Sequence, residues 1–337
     1  MRSVTRRRAF RIVAAAAGLP LLIAGVRAAQ PKPRFFSWQG EVLGAASELT
    51  LWHSDETLVR RSILKVRHEI ERYENIFSLY RDSEVTRLNR DGVVRPSPEL
   101  VEVVDASQRL GVISGGAFDI TVQPLWRTYE EHFWSRSDVA PDISRPALDV
   151  ARTLVDFRRV QAGTKRIALP PGMAITPNGI AQGYITDRIA DLLRHEGFEQ
   201  AVVDLGEWRA LGSHPEGRPW RAATREGSIA LSDNALAVSS GAGTVFETSA
   251  RFHHIFDPAT GASASTLAEA AVIAPRAITA DALATAICVV GEERAVELLA
   301  AYPGARAMVT RKDGTIAEIS RRHLAPQADG SDASQRD

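Results

Sequence analysis

Apolar residues at Leu58, Ile63, Val66, Ile70, Tyr73 and Phe77 recur at helical spacing with charges between them. This predicts a long amphipathic helix over 55–77, capped by Ser54. Ahead of it, 35–52 reads as strands around a Gly40/Gly44 bend. A loop from Phe77 to Glu84 leads to a short helix ending at Asn89, and Ser97-Pro98-Glu99 opens another, with proline in the first turn, that runs to the Gly115-Gly116 break. A helix over 142–152 and short β runs at 155–160 and 166–169 follow. Asn178-Gly179-Ile180-Ala181-Gln182-Gly183-Tyr184 leads into a helix that stops at Gly197. Further strands are predicted at 201–205, 220–224, 229–231, 235–238, 252–256 and 270–274. The most apolar segment, 279–290, reads as a buried helix with Thr279 as N-cap and Gly291 as its stop. A second helix over 292–301 and a hairpin turning at Asp313-Gly314 complete the pattern. Helices and strands alternate without a solenoid repeat or a Pro/Gly/Ser-rich linker, which predicts an α+β fold: one mixed domain, antiparallel sheet with packed helices, over 30–324.

The ends differ from this body. Arg6-Arg7-Arg8-Ala9-Phe10-Arg11 precedes an apolar run from Ile12 to Val26 and then Arg27-Ala28-Ala29. A charged start, a short apolar stretch and small residues at a cleavage position describe an export signal over 1–29, with a twin-arginine-like core. The expected location is periplasmic, and no cysteine stands near the cleavage position to carry a lipid. From 325 to 337 the chain is polar and expected to be disordered. Lys+Arg and Asp+Glu balance at 41 each among 337 residues, so charge gives no reason to expect nucleic acid as a partner. The single cysteine, Cys288, cannot form an internal disulfide and reads as a small buried hydrophobe.

Chemistry is concentrated in a few places. Asp281 and Thr285 are four apart on the buried helix and stack on one face, two oxygen donors suited to a hard cation such as Mg²⁺. The alternative is that Asp281 favours the helix start and Thr285 bonds its own backbone. Of the adjacent His253 and His254, a strand would turn only one toward a site, where it could act as a general base. Asp257-Pro258-Ala259-Thr260-Gly261 is a turn. Gly115-Gly116-Ala117-Phe118-Asp119 and the 178–183 stretch let a ligand approach the backbone, or are simply turn and cap glycines. Tyr80 could stack on a flat ring, although burial is the commoner use of an aromatic side chain. No Walker A loop, dinucleotide fingerprint, nucleophile elbow, zinc-protease helix or EF-hand loop is present.

In order along the chain, these pieces resemble the FAD:protein FMN transferase (ApbE-type flavinyltransferase) family. The resemblance is carried by 71–89 with Phe77-Ser78-Leu79-Tyr80, by Gly116-Ala117-Phe118-Asp119-Ile120-Thr121-Val122, and by Gly179-Ile180-Ala181-Gln182-Gly183-Tyr184 with Asp187. It continues through Asp204-Leu205-Gly206, Ser239-Ser240-Gly241, His254 to Gly261 and Ala280-Asp281-Ala282-Leu283-Ala284-Thr285. It implies an ApbE-like fold and a Mg²⁺-dependent enzyme that splits FAD, releases AMP and joins FMN to a Thr or Ser of a target flavoprotein. Asp281, Thr285 and the carbonyl of Gly179 would hold the metal. Leu43, Tyr80, Ala117, Phe118, Asp119, Thr176, Gln182 and Phe256 would hold FAD, and His254 would be the base. The expected target is a periplasm-facing flavoprotein of a membrane redox complex, as in the branch serving nitrous-oxide reductase maturation, and the mature enzyme itself would not span the membrane. Gln182 stands where the family usually has Lys, Glu207 where a second glycine is common, and Thr176 where an Asp is frequent. An FAD pyrophosphatase and a non-catalytic FAD-binding maturation factor are the alternatives.

Overall fold

The first apolar runs pair directly: β1 (Arg34–Val42) turns through Leu43-Gly44 into β2 (Ala45–His53). The computed structural model describes residues 32–134, 142–225 and 227–320, so the expected export signal and polar tail lie outside the described residues. After β2 come α1 (Glu56–Phe77), α2 (Glu84–Asp91), β3 (Val93–Val94), α3 (Pro98–Ile113), α4 (Gln123–Trp134) and α5 (Arg145–Arg152). The chain continues through β4 (Ile167–Ala168), α6 (Ala181–His195), β5 (Ala201–Asp204), β6 (Trp208–Leu211), β7 (Trp220–Thr224), β8 (Gly227–Leu231) and β9 (Ala235–Ser240). It ends with β10 (Glu269–Ala274), α7 (Ala277–Ala300), β11 (Arg306–Thr310) and β12 (Ile316–Ser320).

Eight strands form one sheet in the order β1-β2-β5-β6-β9-β10-β11-β12, every neighbouring pair antiparallel. Alternation along the strands sorts its residues into two layers. Ala201, Val203, Ala235, Ala237, Ala270, Val272 and Ala274 face the main core with α6 and α7. Val202, Ala210, Leu236, Ala271 and Ile273 face the other way, where the β7–β8 hairpin covers them with Trp220, Ala222, Ile229 and Leu231. The alanine-rich inner face lets α7 lie close to the sheet, and α7 is itself rich in buried alanine. A third cluster joins α4 and α5 to Phe246 and Phe256 around Tyr129. This is the α+β architecture expected.

Several local expectations are corrected. Asp55, not Ser54, caps α1, its carboxylate accepting from Thr57 N at 2.8 Å and Leu58 N at 3.1 Å. The run at 155–160 is a 3₁₀ turn over Phe157–Arg159, because Asp156 and Asp119 take the N–H groups of Arg158 and Phe157 that a strand ladder would use. The segment at 252–256 makes only isolated bridges, Val245 with His253 and Phe256 with Ser263. There the Ser263 hydroxyl accepts from His253 N, and the His253 ring accepts from Ile255 N. Helix α4 and strand β6 were not expected. The break at Gly291 is as predicted: φ 78°, ψ −178° divides α7 into two helical segments. Helix α7 begins at Ala277 rather than at a Thr279 cap, with Asp187 of α6 accepting from its first N–H groups.

Candidate active site

Three pieces of backbone converge on the first half of α7. The first is the turn that opens α6. Gly183 N donates to Asp281 Oδ2 at 2.9 Å, and a β-carbon at Gly183 would lie 2.7 Å from the Ala277 carbonyl carbon and 2.8 Å from Asp281 Cβ. Glycine is required there by the closeness of the two helices. Two residues before α6, Gly179 faces Thr285: a β-carbon on it would lie 3.1 Å from Thr285 Oγ1 and 3.4 Å from the Phe118 ring. The second piece is the end of β9, where Ser239 Oγ lies 3.2 Å from Thr285 Oγ1. The third is the loop after α3, which brings Phe118 against Gly179.

Asp281 is 3% exposed, accepts that one hydrogen bond and, among the described residues, has no ion pair. Burial pushes its carboxyl up to about 7, only partly opposed by the Gly183 N–H. No group of three or more His, Cys, Asp or Glu side chains gathers among the described residues. The oxygen set around α7 therefore has one carboxylate, two hydroxyls and nearby backbone. Cys288, one turn beyond Thr285, is a buried free thiol within 3.3 Å of the Ser239 carbonyl.

Beyond Ser240, the chain makes a 3₁₀ turn over Gly241–Gly243 and reaches Thr244, whose carbonyl lies 3.1 Å from His254 Nδ1. A carbonyl can only accept, so Nδ1 carries the proton and Nε2 is the basic nitrogen. His253 has the opposite tautomer and a different use. Its Nε2 donates to the Ala264 carbonyl at 2.9 Å, its ring is buried, and burial lowers its pKa. A β-carbon on Gly241 would lie 2.7 Å from that ring, so His253 fills space under the turn. The two rings thus meet different carbonyls, and loop hydrogen bonds rather than strand alternation separate them.

The remaining predicted residues fall into two groups. Tyr80 is 79% exposed, contrary to the burial usual for an aromatic, and stands beside Arg81, which pairs with Glu74 at 2.8 Å. Glu74 also accepts from Leu43 N at 3.2 Å, so the β1–β2 turn and the Tyr80 loop share one carboxylate. Ala117 is half-buried; Thr176 is too, with its N–H donated to the Ile120 carbonyl at 2.7 Å. Gln182 Nε2 is buried without a hydrogen-bond partner among the described residues, and a β-carbon on Gly206 would meet it at 2.6 Å. The neighbouring Asp204 carboxyl is raised to about 7 by burial, with Glu48 adding repulsion. By contrast, Asp119 and Phe256 are engaged within the protein. Asp119 accepts from Thr121 N, Thr121 Oγ1 and Phe157 N, and the Phe256 ring lies 4.9 Å from that of Tyr129.

Sequence reasoning gave no role to Ser239, Asn89 or Arg209. Asn89 holds the 173–176 stretch through paired bonds to Ile175 N and O at 2.7 and 2.8 Å. Arg209 is buried beside Asp187 at 3.5 Å. An arginine in an otherwise apolar strand was the available signal for the last.

Comparison with known proteins identifies the family and the fold. The ApbE family model matches residues 43–309. A FAD:protein FMN transferase of Vibrio cholerae serotype O1 is 30% identical over 273 residues, covering 76% of this chain and 81% of its own. One from Treponema pallidum is 29% identical over 275 residues, covering 71% and 74%. Among solved structures, the flavin transferase ApbE of Vibrio cholerae aligns with TM-score 0.73 at 25% identity, covering 85% of this chain and 96% of that one. The apo flavinyl transferase ApbE of Pseudomonas stutzeri shares the fold, with TM-score 0.75 at 24% identity over 87% of this chain and 97% of that one. The chain belongs to the ApbE family.

Proposed function

We propose that this protein transfers FMN from FAD to a Thr or Ser hydroxyl of a target flavoprotein, releasing AMP. The observation that carries the reading is Asp281, a buried carboxylate with a single hydrogen bond among the described residues, stacked one turn from Thr285 and facing the turn that contains Gly179. A carboxylate so placed calls for a cation, and a set of hydroxyl, carboxylate and carbonyl oxygens with few charges suits Mg²⁺ that keeps water or phosphate oxygens as its other ligands. Asp281, Thr285 and the Gly179 carbonyl would hold it, and when bound it would neutralise charge developing on the departing AMP.

The protein's own groups account for the rest. His254, with Nδ1–H held by the Thr244 carbonyl, presents Nε2 as the base that takes the proton of the target hydroxyl. The hydroxyl oxygen bonds to the phosphorus of the FMN half, the pyrophosphate bond on its AMP side breaks, and AMP leaves as a phosphate monoester. Tyr80, exposed and flat, would cover the flavin ring. Leu43, Ala117, Phe118, Thr176 and Gln182 would line the FAD site, the buried amide of Gln182 offering a neutral donor. Asp119 and Phe256 would serve by fixing their loops, since their side chains are engaged elsewhere.

Export through the arginine-led segment at 1–29, and a periplasm-facing flavoprotein of a membrane redox complex as target, belong to the same proposal. The support for export is the N-terminal sequence pattern, and that for the target is the resemblance to the family. No helix among the described residues is long and apolar enough to cross a membrane.

One incubation tests the chemistry: purified protein, FAD, Mg²⁺ and a target domain bearing an acceptor Thr. Covalently fluorescent target is the expected outcome. FMN and AMP with unlabelled target would mean hydrolysis, and unchanged FAD would mean a carrier.

A further inference from the structure

Helix α7 starts without a cap of its own. Arg276 occupies the N-cap position and provides no side-chain hydrogen bond to the first turn. The donors are satisfied from α6 instead: Asp187 Oδ1 accepts from Ala277 N at 2.9 Å and Oδ2 from Ile278 N at 3.0 Å. Both carboxylate oxygens are thus bound to α7 backbone, at a residue only 1% exposed in its side chain and flanked by Arg276 at 3.2 Å and Arg209 at 3.5 Å. One turn earlier on α6, Gly183 N donates to Asp281.

The two contacts form a ladder. Positions 183 and 187 lie on one face of α6, and positions 281 and 277–278 lie on one face of α7, each pair one turn apart. At the Gly183 rung the helices touch through bare backbone, which limits their approach but leaves sliding and rotation to be fixed elsewhere. The Asp187 rung fixes both, because two oxygens of one rigid carboxylate must meet two successive N–H groups. It does so at the turn immediately before Asp281.

We propose that Asp187 is a positioning residue for the cation site: by capping α7 from α6, it sets the register at which the Asp281 and Thr285 oxygens meet the Gly179–Gly183 turn. This rests on the reading of Asp281 as a cation ligand. Loss of the register disperses ligands that are individually intact, so cation affinity falls even while the fold survives. Loss of a partner that orients a metal ligand typically weakens binding by about tenfold to a hundredfold.

The test is direct Mn²⁺ binding, followed by electron paramagnetic resonance in the absence of FAD, for the native protein, Asp187→Asn, Arg276→Gln and Asp281→Ala. Circular dichroism confirms folding at the assay temperature. Asp187→Asn keeps the volume but turns one acceptor into a donor facing an N–H, and it should raise the Mn²⁺ Kd by about tenfold or more. Arg276→Gln removes a charge from Asp187 while leaving both helix-capping bonds, and should keep affinity within about threefold of native, on the same comparison. If Asp187→Asn does not fold, Ala277→Pro removes one donor from the other side. Proline suits a first helical position, and Arg276 before it is already extended, at φ −127° and ψ 142°. Native affinity in whichever of these two variants folds overturns the positioning role, provided Asp281→Ala has lost binding. Native affinity in Asp281→Ala overturns the ligand assignment itself. Equal weakening in Asp187→Asn and Arg276→Gln assigns the effect to the charge network and likewise overturns the capping argument.

Discussion

Replacing Asp281 by Asn should stabilise the metal-free protein while abolishing transfer. The carboxyl is raised from 3.8 to about 7 by burial. That is about three units at about 1.4 kcal/mol each, so ionised Asp281 costs the native state up to about 4 kcal/mol. Asn keeps the oxygen that accepts from Gly183 N but buries an amide NH₂, which returns about 1–3 kcal/mol of the gain if it finds no acceptor. A net stabilisation of about 1–3 kcal/mol is expected near pH 8 in chelator. The sign follows from proton counting: between about pH 4 and pH 7 the folded chain holds a proton that the unfolded chain has lost, so native stability falls as pH rises through that window. The Asp281→Asn difference should therefore start below zero near pH 4, where the buried amide leaves the variant the less stable, rise through the window, change sign and level off above about pH 7. Urea unfolding of both proteins across this range, with chelator, measures it. Saturating Mg²⁺ should then reverse the order by stabilising only the native sequence, by about 2.7 kcal/mol at a hundred times its Kd. A stability difference that ignores pH, or a native protein that is the more stable near pH 8 without metal, would refute the reasoning.

Gly183→Ala sets two effects against each other: alanine gains about 1 kcal/mol of helix propensity, but its β-carbon must displace α7 backbone, costing about 1–3 kcal/mol or more. Net destabilisation with weaker Mg²⁺ dependence is expected in urea titrations, and a more stable variant would contradict the close approach. His254→Asn should lower kcat by about 10² to 10⁴ while FAD affinity, read by flavin fluorescence quenching, stays near native. Tyr80→Ala touches an exposed ring and should change stability by less than about 0.5 kcal/mol, yet weaken FAD binding by about tenfold, the scale of one aromatic stack.

Much of this protein is legible from sequence because its signals are local. Helix α1, the Pro98 start of α3, the Gly291 break and the Asp313-Gly314 hairpin each follow from spacing, caps or backbone freedom within a few residues. So does the stacking of Asp281 and Thr285, which any helix through them imposes. The tertiary structure decided where distant groups compete for backbone donors. Asp119 and Asp156 turned an expected strand into a 3₁₀ turn, and Ser263 with the His253 ring prevented a strand at 252–256. The cap of α7 came from Asp187, ninety residues away in the chain. The two histidines look alike in sequence, but which carbonyl each ring meets determines that His253 is buried filling and His254 keeps Nε2 basic. Periodicity records which face of an element is apolar. It does not record which remote oxygen will reach a given N–H, and the candidate site is assembled from such contacts.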